Sequence, residues 1–182
     1  MGGHSTGQVI TDLKQVRELR GQLDLQPQAR ILVSACLAGK NVRYDGKHCR
    51  LGSLDALLLS GQAILICPEV LGGLPTPRPA AEVLGKDGAA VLDGHSRVET
   101  RNGLDLSRQF RLGAERALAA RGDATILFAV LKSRSPSCGA GEIYDGGFAG
   151  KVKVGNGVAA DRLLQAGIDI ISSEVWREAF AV

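Results

Sequence analysis

Aromatic side chains are scarce in this 182-residue chain, with four Phe, two Tyr and one Trp. A folded core must therefore be aliphatic. No stretch approaches the ~18 uninterrupted apolar residues of a membrane-spanning helix. Met1 to Gly7 is small and polar, without the apolar centre of a secretory leader. Charge of one sign is also missing. Against 22 Lys and Arg stand 19 Asp and Glu, a formal net charge of +3. That balance permits an anionic partner but does not argue for nucleic acid. There is no Cys-x-x-Cys pair, so the local spacing of most structural zinc sites is absent. Neither an internal repeat nor a low-complexity linker interrupts the chain. These absences predict a soluble, cytoplasmic protein with no membrane partner. There, cysteines are metal-binding, catalytic or buried rather than bridged.

What the chain does contain is Gly, 24 residues of it, and an ordinary 45% of apolar residues. The length suits one domain with a real core. Apolar residues at Val9, Leu13, Val16, Leu19 and Leu23 predict a helix with Thr11 or Asp12 as its cap. Arg30 to Ala35 is almost continuously apolar, as in a parallel strand covered on both faces. Further strands are expected over Ala63–Cys67, Ala124–Leu131 and Ile168–Ser172. Helices are expected over Ser53–Leu59, Leu104–Arg121, Val158–Ala166 and Ser173–Phe180. Gly39–His48, the Gly- and Pro-dense Leu71–Pro79 and the Gly-rich Ala140–Gly157, with its Asp145-Gly146 turn, read as irregular. Val83–Val98 reads as a small hairpin or excursion around an Asp87-Gly88 turn. The alternation of strand and helix predicts an α/β fold, a mostly parallel, Rossmann-like sheet with helices on both faces. Residues 1–29 form a helical extension and 30–182 the main domain.

Cys36, Cys67 and Cys138 each stand where an apolar strand-like run gives way to a turn. In an open parallel sheet, ligands gather outside the carboxyl ends of the strands. The three thiols can therefore meet there, and three thiolates around one point suggest a metal centre with a vacant position. Buried cysteines are commonly small hydrophobes. Here, however, each is set in polar, turn-forming sequence. Cys49, in Lys47-His48-Cys49-Arg50, has no strand before it and reads as a bystander near the site. Spacing alone leaves two metals open. One is zinc, with Cys49, His48 or His95 as fourth ligand. The other is an iron–sulfur cluster whose three cysteines leave one iron free.

Other reactive groups share these strand ends. Glu69 follows Cys67 by two residues and can serve as a general base toward water. Ser135 and Ser137 flank Pro136 just before Cys138. Arg43, Arg78 and Lys132 are candidates to bind an anionic or polar edge of a substrate. A cysteine nucleophile is a distant reading, because no His accompanies the cysteine motifs: His4 is terminal, and His48 and His95 sit in ordinary loops.

Three blocks carry a more specific signal. Ser34-Ala35-Cys36-Leu37-Ala38-Gly39 runs into Val42-Arg43-Tyr44-Asp45-Gly46. Cys67-Pro68-Glu69-Val70 is followed by Gly72-Gly73-Leu74-Pro75-Thr76-Pro77-Arg78. The third block is Leu131-Lys132-Ser133-Arg134-Ser135-Pro136-Ser137-Cys138-Gly139, with Ile143-Tyr144-Asp145-Gly146 behind it. In this order they resemble the bacterial thiouracil desulfidase (TudS-like) family, over about Arg30 to Glu174. The resemblance implies a [4Fe-4S] cluster held by Cys36, Cys67 and Cys138, with one open iron. It also implies a non-redox replacement of thiocarbonyl sulfur by oxygen, as in 2-thiouracil to uracil. Glu69 would activate water or shuttle protons, and Ser135 would position substrate or water, with Arg43, Arg78, Lys132 and Ser137 on the substrate. Thiolated uridine in tRNA is the alternative substrate, less favoured by a net charge of only +3. A zinc-stabilised binding module without chemistry is the alternative from another class.

Overall fold

A five-stranded parallel sheet forms the centre of the protein in a computed structural model that describes residues 6–181. The calls on Met1 to Ser5, His4 among them, lie outside the described residues. The strands are β1 (Val9–Ile10), β2 (Arg30–Ser34), β3 (Ala63–Ile66), β6 (Ile126–Leu131) and β9 (Ile170–Ser172), in the order β1-β9-β6-β2-β3. Two antiparallel pairs lie outside it: β4 (Ala81–Leu84) with β5 (Arg97–Thr100), and β7 (Glu142–Tyr144) with β8 (Val152–Val154). The helices are α1 (Leu13–Asp24), α2 (Asp55–Leu59), α3 (Pro68–Leu71), α4 (Gly88–Leu92), α5 (Ser107–Ala119), α6 (Val158–Gln165) and α7 (Ser173–Ala179). Among the described residues, no helix is long and apolar enough to cross a membrane.

The continuous apolar strands alternate between two cores, as the two-residue period of a pleated strand requires. Ile31 and Val33 of β2, Phe128 and Val130 of β6 and Ile171 of β9 face one cluster, with Val16, Leu23, Leu54, Leu57 and Trp176. Leu32, Ala129, Leu131 and Ile170 face the other, with Ala117, Ala160 and Leu163. The single Trp is fully buried and donates its indole N–H to Ser53 Oγ at 3.1 Å. A third core joins the β4–β5 pair to α5 and α6 through Val83, Val98, Phe110 and Val158.

Two sequence expectations change. The first helix starts at Leu13, capped by Asp12, whose carboxylate accepts the Gln15 N–H at 2.7 Å. Val9 and Ile10 instead pair with Ile170 and Ile171 as the edge of the main sheet. An apolar pair before a cap satisfies the helical spacing equally well, so periodicity could not separate them. Asp87 likewise caps α4 by accepting the Ala90 N–H at 3.0 Å, so a helix rather than a tight turn joins β4 to β5. The Gly-rich Ala140–Gly157 segment holds the short β7–β8 pair.

Chain order and spatial order together define where a ligand can enter. From β2 the chain moves outward to β3, then returns to place β6 on the other side of β2. The crevice of a doubly wound sheet opens at this reversal. Cys36, Cys67 and Cys138 follow β2, β3 and β6 respectively.

α3 and α5 approach through two glycines. A Cβ on Gly113 would lie 2.0 Å from the Pro68 carbonyl oxygen, and one on Gly72 would lie 2.1 Å from that of Gln109. Alanine in a helix interior normally gains up to about 1 kcal/mol over glycine. Gly113→Ala is expected to do the reverse, costing about 1–3 kcal/mol by overpacking. Chemical denaturation against wild type measures the sign.

Candidate active site

One cavity of ≈ 370 Å³ opens at the reversal, within the ~300–1,000 Å³ of small-molecule sites. Its wall includes all three strand-end cysteines, with Glu69, Ser135, Arg43, Arg78 and Lys132. Ser137 is the exception. It is fully buried and does not line the cavity, because the turn that presents Cys138 rotates the preceding side chain into the protein. The structure thus places it behind the cavity wall, away from the side that the expected substrate contact would need. His48 and His95 are both exposed and outside the cavity wall.

The three cysteines reach the cavity by different local means. Cys36 lies in a 3-10 turn, Ala35–Ala38, that ends at Gly39 in the left-handed region, φ 84°. Cys67 precedes α3, with Pro68 at the first helical position, and the N–H groups of Glu69 and Val70 point back at its sulfur. Cys138 closes a turn in which Ser135 Oγ accepts the N–H groups of Ser137 and Cys138, both at 3.1 Å. Those bonds leave the Ser135 hydroxyl proton uncommitted. Gly157 presses on this turn so closely that a Cβ there would lie 2.4 Å from the Ser137 carbonyl carbon.

Glu69 is held by Arg78. The Arg78 Nε–H donates to Glu69 Oε2 at 2.6 Å, and the guanidinium side chain is only 4% exposed. Three of its other N–H groups go to the Pro75 carbonyl (3.1 Å), Thr76 Oγ1 (3.1 Å) and the Val42 carbonyl (3.0 Å). Arg78 thus ties the loops after β2 and β3 together and aims the carboxylate. Arg43 forms a fork onto Asp45, both contacts at 3.2 Å, and Lys132 Nζ donates to the Ser133 carbonyl at 2.9 Å.

The electrostatics favour some thiolates over others. Burial pushes the Cys138 thiol up to about 12, partly opposed by the nearby Ser34 hydroxyl. Burial also raises Cys67, opposed by its two backbone N–H donors. Cys49 is not remote: its N–H donates to the Cys36 carbonyl at 3.0 Å and its thiol hydrogen-bonds that of Cys36. The pair releases one proton readily, because the remaining thiol stabilises the thiolate and Arg43 and Lys132 add positive charge. Cys49 is lowered to about 6 as a result, while Cys36 is raised.

Several residues of the cavity were not picked out from sequence. Arg134 on its rim has φ 59°, a left-handed backbone that costs a non-glycine residue about 1–3 kcal/mol. Nothing in the sequence marks such strain. Glu82 accepts the Gly146 and Phe148 N–H groups at 2.9 and 3.0 Å and so fixes the Gly-rich loop whose Gly150 reaches the cavity. Tyr144 and Ser34 also line it. All four depend on segments far apart in the chain.

All three thiols line the one cavity, and thiolates are the usual ligands of iron–sulfur clusters, so the donor chemistry present fits such a group.

A model of the 2-thiouracil desulfurase family matches residues 31–175, and the chain belongs to this family. The Bacillus subtilis (strain 168) protein YbbK, itself uncharacterized, is 42% identical over 142 residues, 78% of this chain and 94% of its own. A solved structure, the [4Fe-4S]-dependent thiouracil desulfidase TudS, is 44% identical with a TM-score of 0.73. The match covers 83% of this chain and 95% of that one.

In the metal-free protein, limited iodoacetamide labelling at pH 7 is expected at Cys49 first and at the buried Cys36 and Cys138 last. Labelling of Cys49 should fall off below about pH 6, as its thiolate is protonated. Peptide mapping after a short anaerobic pulse measures both.

Proposed function

We propose that this protein is a [4Fe-4S]-dependent, non-redox desulfidase. It replaces the thiocarbonyl sulfur of a free thiolated pyrimidine, of the 2-thiouracil type, with oxygen from water and releases sulfide. The observation that carries this reading is the meeting of Cys36, Cys67, Cys138 and Glu69 in one small cavity at the reversal of the sheet. Family membership and the named activity of the solved relative support it.

Cys36, Cys67 and Cys138 would hold the cluster, which when bound supplies an open iron able to accept sulfur. Glu69, aimed by Arg78, takes a proton from the attacking water. Its Oε1 carries no other hydrogen bond among the described residues, leaving it available to that water. The Ser135 hydroxyl, fixed by the two N–H groups it accepts, donates to the substrate or the water. Arg43 and Lys132 place positive charge beside the polar edge of the ring. Arg78 is a positioning residue, because four of its five N–H donors are already engaged. The cavity volume, ≈ 370 Å³, favours a free base over a base within a folded RNA.

Iron and acid-labile sulfide after anaerobic reconstitution, followed by 2-thiouracil turnover on the same sample, tests the reading. About four of each per chain, with uracil and sulfide as products, is the expected result. Turnover on thiolated tRNA alone would reassign the substrate, and zinc without sulfide would remove the chemistry. Replacing Cys36, Cys67 or Cys138 with Ser should abolish both cluster and turnover, while Cys49→Ser keeps both. Glu69→Gln should keep the iron content and lose about 10²–10⁴ in turnover, the usual weight of a general base.

A further inference from the structure

We infer that Glu82 is a substrate-binding residue: its free carboxylate oxygen accepts a ring N–H beside the thiocarbonyl and so selects an unsubstituted base. The inference rests on the desulfidase reading above and adds a specificity-determining group to it. Glu69 and Glu82 are the two carboxylates in the cavity wall, and that reading uses only Glu69.

Glu82 is carried to the wall by the pleat of β4. Its neighbour Val83 packs into the third core with Val98, so the Glu82 side chain turns to the opposite face. The residue is buried, and its Oε2 accepts both loop N–H groups, from Gly146 at 2.9 Å and Phe148 at 3.0 Å. Its Oε1 accepts no hydrogen bond among the described residues, yet it is not one of the fully enclosed polar atoms without a partner. Nor does a cation pair with Glu82 among those residues, in contrast with Arg78 on Glu69. A buried carboxylate thus brings an uncommitted acceptor to the cavity.

Loop support alone does not call for a carboxylate. One oxygen already holds both N–H groups, and the amide oxygen of a glutamine would serve as well. The charge is also placed against another of the same sign: Glu82 stands directly opposite Glu99 in the β4–β5 register. Such a cross-strand pair is unfavourable. Arg97 relieves Glu99, at 3.0 Å, and not Glu82. A second charged oxygen is therefore kept against the preference of the sheet, and its use lies in the cavity.

The other polar groups of the wall define that use. Arg43, Lys132 and the Ser135 hydroxyl are donors, suited to a carbonyl, thiocarbonyl or anionic edge. A 2-thiouracil ring also presents an N–H on each side of its thiocarbonyl, and an N–H needs an acceptor. With Glu69 serving the attacking water, the carboxylate left for the ring is Glu82. An ionised carboxylate cannot donate, so a methylated or glycosylated nitrogen leaves it without a partner. A site built around such a bond rejects analogues that lack the hydrogen, because its own polar group is then unpaired.

The test measures kcat and KM of reconstituted wild type and Glu82→Gln on 2-thiouracil and on its N1-methyl and N3-methyl derivatives. The substitution keeps one oxygen for the loop and turns the free acceptor into a donor. Iron content and thermal melting should therefore match wild type. For 2-thiouracil, kcat/KM should fall about 10–100-fold, the weight of a hydrogen bond to a charged group, with KM carrying most of the loss. Wild type should reject one methyl derivative, and Glu82→Gln should leave kcat/KM for that derivative nearly unchanged. A wild type that converts both methyl derivatives as well as 2-thiouracil would overturn the inference without any variant. Equal losses on all three substrates in Glu82→Gln would also overturn it, marking loop support, and so would no loss on any. A loaded wild type inactive on 2-thiouracil would sink the desulfidase reading and this inference with it. An active wild type with any of the overturning patterns removes this inference alone.

Discussion

A buried guanidinium holds the reactive end of this molecule together. Arg78 lies within the Pro-rich loop, yet its donors reach the loop after β2, the carboxylate after β3 and its own loop's carbonyl and hydroxyl. A buried charge is tolerated only when its donors are met, and removing one partner of such a pair costs about 3–5 kcal/mol. The demand to satisfy Arg78 therefore fixes three loop conformations at once. Glu69 is placed as a consequence: its orientation follows from the structural needs of its neighbour.

The second constraint is the conflict between burial and ionisation. Sulfur ligands act as thiolates, while burial keeps thiols protonated. The fold resolves this differently at each cysteine. Cys67 lies at the N–H groups of Glu69 and Val70, Cys138 has the Ser34 hydroxyl nearby, and the Cys36 carbonyl accepts the Cys49 N–H. Each thiol is thus surrounded by groups that are themselves fixed in regular structure or tight turns. Close backbone approaches do the fixing. Glycine at 72, 113 and 157 lets helices and turns come together at distances that any side chain would prevent.

Much of this was legible beforehand, and the reason is specific. Strands buried on both faces read as unbroken apolar runs, so β2, β3 and β6 stood out, and the residues just beyond them were marked as site candidates. Val9 and Ile10 misled, because two apolar residues before a helix cap satisfy helix and strand spacing alike. Ser137 misled for a related reason. Adjacency to a cysteine places a residue near a site but does not say which way its side chain turns, and the clamp between Ser135 and α6 turns this one inward.

The sequence by itself determined the layer architecture, the strand ends that carry the thiols and, through three long motifs, the family. These are local or pattern-level properties, written in residue order. Only the tertiary structure decided that Arg78 holds Glu69, that the Cys49 N–H reaches the Cys36 carbonyl, and that Ser137 turns inward. Such contacts depend on the course of irregular loops, as where Arg78 reaches the Val42 carbonyl 36 residues away. They are set by chain reversal and close backbone packing, which no short stretch of sequence encodes.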